Sequence, residues 1–356
     1  MPHPAPTAAP VATPPAPGLL TRLGIDWFLG ALLVAVGLAY VAPGIGSKTS
    51  PVPWSALTTG GVAVIFFFYG LRLSTEKLRA GMRNWHLHLV TQSATFVLFP
   101  LLALAVRPLF EGAKAEALWA SIFFLTTLPS TVSTSVVMVS IAQGNLPAAI
   151  FNASISSLLG ILVTPVWVNM VLHTGAAQVG LGGMVASLGG QVVVPVALGM
   201  LLNARFGAWA EAHRQQLRVF DQLIILVLVY TSFCESFAEN LFQDYRALDI
   251  LGLAAGMITL FLLIFGLITV ISRLLHFSDE DRITAVFCGS KKSLVHGTVL
   301  AKVLFANTIA LGTLLLPLML YHALQIMLAS VMAQAAGRRM KAQHQAAPSS
   351  VATINK

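Results

Sequence analysis

The sequence predicts an all-α membrane protein of ten transmembrane helices, built as two inverted five-helix repeats with two broken, crossing helices at spans four and nine. Composition, span length and paired interruptions predict it. Of 356 residues, 56% are hydrophobic and 10% charged, and the mean hydropathy is +0.81, far from the usage of soluble domains. Apolar stretches of about 17–25 residues, the length that crosses a hydrocarbon core of roughly 30 Å as helix, recur along the chain. Long apolar runs rather than alternating ten-residue segments exclude a β-barrel.

The first 24 residues, MPHPAPTAAPVATPPAPGLLTRLG, are rich in Pro and Ala, lack an apolar signal-type core and read as a disordered tail. Spans follow at about 25–42, 54–71, 86–106, 117–142, 146–172, 182–203, 219–240, 248–274, 282–304 and 307–333. Residues 25–335 thus form one ten-span domain, with repeats at about 25–172 and 182–333, and 336–356 is a basic tail. An even number of spans leaves both tails on one side. That side collects Arg22, Arg72, Lys77, Arg79, Arg83, Arg205, Arg214, Arg218, Arg273, Arg282, Arg338, Arg339, Lys341 and Lys356, against Lys48, Arg107, Lys114, Arg246 and Lys302 opposite. Both termini are therefore expected in the cytoplasm, with the chain in the cell inner membrane. The net charge of +8 follows from this topology, and no nucleic-acid partner is expected. The two cysteines, Cys234 and Cys288, lie inside predicted spans and suggest neither a disulfide nor a metal site.

Span three begins near His86 and His88, which read as cytoplasmic-end residues, and carries Gln92 and Thr95 one turn apart upstream of Pro100. These two could line a cavity or serve an interhelical hydrogen bond. Span four contains TTLPSTVSTS, Thr126 to Ser135, dense in hydroxyls around Pro129. A single hydroxyl in a membrane helix ordinarily bonds its own backbone at i−4. Such density beside a proline instead favours a site, with Thr134 and Ser135 as candidate ligands. Asn152 and Ser156 in span five share a face and can meet span four together. Gly180, Gly182, Gly183, Gly189 and Gly190 before and within span six read as loop and close-packing residues. Asp26 and Asp221 open their spans as interfacial or capping residues.

Span nine contains CGSKKSLVHG, residues 288–297. Lys291 and Lys292 lie about ten residues past Arg282, roughly 15 Å along a helix and hence near the bilayer middle, where snorkelling is hard. Buried ammonium groups need an anion, a carboxylate or carbonyl ends. Glu235 could neutralise one of them, carry a proton, or reach water at the outer end of span seven beside Glu239. Ser290, Ser293 and His296 share the break with the lysines. Both breaks occupy the fourth span of their half, and the successors correspond, from Asn145 to Pro165 and from Asn307 to Pro317. Paired interruptions at matching positions point to a midplane binding site, because broken helices expose backbone groups that lipid cannot satisfy.

The ten-span plan, TLPSTVSTSVVM, GNLPAAIFNASISSLLG and FCGSKKSLVHG resemble the bile acid:sodium symporter superfamily, and more narrowly its sodium/bile acid cotransporter 7 type, over residues 20–335. The resemblance implies a core subdomain with two crossed, unwound helices, a panel subdomain, and alternating access. In sodium-coupled relatives the first break ends Ser-Asn, where this chain has Thr134 and Ser135. Alignment of Gly289 puts Phe287 at the relatives' carboxylate and Lys291 at their glutamine, and the span-three glutamine falls on Thr95. The resemblance thus implies dismantled sodium sites, with one lysine, Lys291 by this alignment, replacing a cation and the other attracting substrate.

The reading is a secondary transporter of a small, anionic organic substrate, without a cofactor, coupled to protons through Glu235 or His296 or to nothing, with sodium coupling not expected. The alternative is a regulatory membrane protein that binds a ligand without moving it, in ion homeostasis; eukaryotic proteins of the cotransporter 7 type are associated with calcium. An enzyme is not expected: the chain has no zincin pattern, no serine elbow and no phosphate-loop lysine near Gly180 to Gly183.

Overall fold

The structure, a computed structural model, describes residues 27–72, 84–172, 194–240, 246–305 and 310–346, and every regular element among them is helical. In order these are α1 (Trp27–Val41), the single turn α2 (Pro43–Gly46), α3 (Trp54–Leu71), α4 (Trp85–Ser93), a π-helical segment (Ala94–Leu98) and α5 (Phe99–Ala105). A 3₁₀ turn (Arg107–Leu109) leads to α6 (Ala113–Thr127), α7 (Ser133–Ile141) and α8 (Leu146–Leu172). Then come α9 (Val194–Ala212), α10 (Arg214–Ala238), α11 (Ala247–Leu274), α12 (Asp279–Gly289), α13 (Leu294–Leu304) and α14 (Leu311–Ala346).

Six of the described helices are long and apolar enough to cross a membrane: Trp54–Leu71, Trp85–Leu109, Leu146–Leu172, Arg214–Ala238, Ala247–Leu274 and Leu311–Gln343. They make the chain an integral membrane protein. Spans four and nine are each two half-helices, α6 with α7 and α12 with α13, separated by residues 128–132 and 290–293. The start of span six, the glycines at 180–190, Asp26 and both extreme termini lie outside the described residues. The last helix runs past its expected end at 333 through Ala346, so the first part of the expected tail is helical. Ala, Gln, Met, Lys and Arg dominate that extension, and all are good helix formers.

Local chemistry explains the ends. Pro129 cannot donate to the α6 ladder, and α6 stops two residues before it. Ser278 caps α12 by accepting from the Asp281 amide at 3.1 Å, and Asp279, Glu280 and Asp281 fill the first turn, where carboxylates favour the positive helix end. Ser293 caps α13 in the same way, accepting from the His296 amide at 3.3 Å.

Two groups of helices emerge from the packing. The first is α1, α2, α3, α9 and α10; the second is α4 to α8 with α11 to α14, and α10 packs most closely across the division, against α13 and α14. In the first group α3 and α9 approach backbone to backbone. A Cβ on Gly70 would lie 2.1 Å from the Val196 carbonyl oxygen, and one on Gly199 2.1 Å from that of Phe67. Small residues allow such contact without lipid between the helices. Asn203 reinforces it, donating to the Leu71 carbonyl at 2.7 Å at the end of α3. Gly70→Ala or Gly199→Ala is expected to destabilise the purified protein by about 1–3 kcal/mol, read as a lowered thermal midpoint. Gly252→Ala, inside α11 where a Cβ meets nothing within 4 Å, is expected not to lower it.

Candidate functional site

The two breaks meet. The Ser293 amide donates to the Pro129 carbonyl at 2.9 Å, and the Ser130 hydroxyl donates to the Cys288 carbonyl at 2.5 Å. Each break is further satisfied by the helix that follows it. Ser156 Oγ on α8 accepts from the Ser130 amide at 3.0 Å, and Thr164 Oγ1 donates to the Thr127 carbonyl at 2.8 Å. For the second break, Gln325 on α14 both accepts from the Lys292 amide at 2.8 Å and donates to the Lys292 carbonyl at 2.7 Å, while the Tyr321 hydroxyl donates to the Ser290 carbonyl at 2.8 Å. A water-free interior requires this accounting of backbone groups. Tyr321 and Gln325 were missed in the sequence, although YHALQ places them one helical turn apart in an otherwise apolar span.

Lys291 and Lys292 are fully buried, so neither snorkels. Lys292 Nζ donates to the carbonyls of Thr95, Thr126 and Leu128 at 2.7, 2.6 and 2.8 Å and sits 4.1 Å from the centroid of the Phe99 ring. Lys291 Nζ donates to one carbonyl, that of Thr134, at 2.9 Å. The sequence alignment put the cation surrogate at Lys291; the carbonyls gather instead around Lys292. Neither lysine is among the residues that line the cavity described below.

Of the three alternatives for Glu235, its surroundings match the one at the end of the span. It pairs with Lys48 near the C-terminal end of α10, its side chain is 29% exposed, and hydrogen bonding to it raises the Lys48 ammonium above its ordinary pKa. The buried lysines have no carboxylate partner among the described residues.

The remaining predicted site residues divide. Thr131 Oγ1 and Ser135 Oγ lie 2.8 Å apart, and Thr134 Oγ1 donates to Thr131 Oγ1 at 2.7 Å, a hydroxyl cluster at the start of α7. The Thr95 hydroxyl bonds its own Thr91 carbonyl at 2.9 Å, so its backbone rather than its side chain serves the site. Gln92 donates to the Asn152 carbonyl and to Asn152 Oδ1, each at 3.1 Å, an interhelical bond beside the break. The Ser290 hydroxyl is buried without a hydrogen-bond partner among the described residues.

A cavity of about 530 Å³ opens between the two helix groups. Thr131, Thr134, Ser293, Leu294, Val295 and His296 supply its floor, so the N-terminal ends of α7 and α13 both reach it. Leu158, Ile161, Val196 and Ile326 give it apolar walls, and Arg72, Arg214, Arg218, Glu211 and Asp221 line it as well. Ser293 Oγ lies 2.9 Å from His296 Nδ1, and the His296 ring stacks on Tyr69 at 4.8 Å, leaving buried Nε2 unbonded. Arg72 lies over the same Tyr69, 5.2 Å from its centroid, and pairs with Asp221 at 3.0 Å. Asp221, expected at an interface, is thus a buried partner of Arg72. Arg214 has Glu211 at 3.9 Å, while Arg218 has no ion pair among the described residues. The site therefore combines apolar walls, two helix N-termini and surplus positive charge, which suits an amphipathic anion.

A family model, the SBF-like CPA transporter family, matches residues 26–338. The chain belongs to that family, one of transporters rather than enzymes. It is 42% identical over 318 residues to an uncharacterized protein, PA2026, of Pseudomonas aeruginosa, covering 88% of this chain and 93% of the relative. It is 34% identical over 314 residues to YfeH of Escherichia coli (87% and 92%) and 31% identical over 323 residues to sodium/bile acid cotransporter 7 of Xenopus tropicalis (88% and 92%). These findings support a secondary transporter of a small molecule.

Gln325→Leu removes the partners of both the Lys292 amide and the Lys292 carbonyl and is expected to destabilise the protein by about 2–4 kcal/mol. Tyr321→Phe, which loses one bond, is expected to cost about 1 kcal/mol. Thermal unfolding of the two variants beside the wild type checks the order.

Proposed function

We propose that this protein moves a small organic anion across the cell inner membrane by alternating access, with both termini in the cytoplasm. The carrying observation is the cavity, which lies between the two helix groups and is floored by two half-helix N-termini. In this reading α1, α2, α3, α9 and α10 form a panel, the remaining helices form a core, and rigid-body movement of one against the other exposes the floor to either side in turn. The repeated relation supports two inverted five-helix repeats: α8 satisfies the first break and α14 satisfies the second.

The anion's charged group would sit against the amides opening α13, beside His296 Nε2 and the Thr131 and Thr134 hydroxyls. Partial positive charge at a helix N-terminus and unpaired amides attract an anion without a dedicated cation. Arg218, a cavity-lining cation without an ion pair among the described residues, is the charge available to meet it. The apolar walls would take the organic body. Sodium coupling is not required in this reading, because positive charge at the helix crossing is already covalently fixed.

Reconstitution in sealed vesicles tests the proposal through uptake of a panel of labelled organic anions. A carboxylate- or sulfonate-bearing compound is expected to accumulate inside, with uptake unchanged when choline replaces sodium. Arg218→Ala is expected to lower that uptake about tenfold, the loss of one charge-assisted contact, with an unchanged thermal midpoint. Ligands that stabilise the protein but never accumulate would replace transport by a sensing role.

A further inference from the structure

The cage around Lys292 has an origin in the sequence. In a continuous helix the Thr126 carbonyl would accept from the amide of residue 130, but Ser130 donates to Ser156 instead, and the nearer Pro129 has no N–H. The Thr95 carbonyl is freed similarly. The π-helical segment gives the Phe99 amide to Ala94, and the next residue able to close the wider turn is Pro100, again without N–H. The Leu128 carbonyl is released because residue 128 is extended, with ψ at 152°. Two prolines thus release carbonyl oxygens toward one point, at the C-terminal, negative end of the fifteen-residue α6.

Three acceptors within 2.8 Å of one nitrogen match the three donors of an ammonium group. The Phe99 face adds a fourth, cation-attracting surface. Rings of backbone carbonyls with no carboxylate are also how proteins replace the hydration shell of a large monovalent cation.

We infer that the carbonyls of Thr95, Thr126 and Leu128 form a monovalent-cation site whose permanent occupant is the Lys292 ammonium, and that removing the amine opens it to small free cations. This deepens the transport reading and rests on it for one consequence: the crossing needs no cation from solution in any step of the cycle. The cage joins span three, the first break and the second break, so its occupant ties three segments of the core together. Lys291, with one carbonyl partner, does not complete such a shell.

The test is thermal unfolding of purified wild type, Lys292→Ala, Lys292→Met and Lys291→Ala in chloride salts of methylammonium, ammonium, potassium and sodium. N-methylglucamine, too large for the cage, controls for ionic strength. The wild type and Lys291→Ala are expected to respond to none of the small cations beyond that control. Lys292→Ala is expected to unfold about 5–10 °C lower and to recover most of the loss with at least one small cation, saturably. Lys292→Met, which fills the space without charge, is expected to be lowered and not restored.

A Lys292→Met midpoint equal to the wild type, or a Lys292→Ala that no cation restores, would overturn the inference. Should Lys292→Ala fail to fold in N-methylglucamine, solubilisation in each small cation replaces the titration. Recovery of folded protein in one of them supports the cage, and recovery in none counts against it. Wild-type vesicle uptake is scored separately. Cation rescue without uptake keeps the cage and removes the transport reading, and uptake without rescue does the reverse.

Discussion

Carbonyl oxygens that prolines release inside an apolar interior must be met by a donor, and the rest of this structure depends on how that demand is answered. In water a freed carbonyl is hydrated at little cost. Within a bilayer each costs several kcal/mol if left bare. Pro129 and Pro100 create the demand in spans four and three, and Lys292 answers it with a single charged group. The desolvation of that charge is offset by the same oxygens, by the α6 dipole and by the Phe99 ring. Neither partner would be stable there without the other.

The same economy of polar groups shapes the cavity. With the breaks tied to each other by Ser130 and Ser293, and the second break held by Gln325 and Tyr321, the half-helices α7 and α13 leave their N-terminal ends facing the space beside α3 and α10. The C-terminal end of α6 takes the cation and the N-terminal ends of α7 and α13 are left for an anion. Tyr69 links the site to the charged lining, since one face carries Arg72 and the ring stacks on His296. Arg218 and Arg72 line the same cavity as the floor.

Much of this was legible in the sequence, for definite reasons. Long apolar runs gave the helices, proline and glycine among hydroxyls gave the breaks, and two lysines mid-span identified the crossing. The partners of those lysines were not legible, because carbonyl oxygens have no residue identity. Thr95 stood out for its hydroxyl but contributes its backbone. Glu235 was the most conspicuous carboxylate, yet helix rotation points it to Lys48. Arg72 and Asp221 looked like interfacial residues at the ends of separate spans, and only tertiary packing makes them a pair. Lys291 and Lys292 are neighbours, and the local unwinding that decides which amine finds three acceptors leaves no pattern in composition.

The most direct measurement of the central claim is the charge state and solvent protection of the Lys292 amine, by nitrogen-15 NMR of protein labelled at lysine Nζ, with Lys292→Met to assign the signal. The account predicts a protonated ammonium resonance, slow to exchange with solvent and absent from the variant. A neutral amine signal, or an ammonium exchanging as fast as surface lysines, would contradict it.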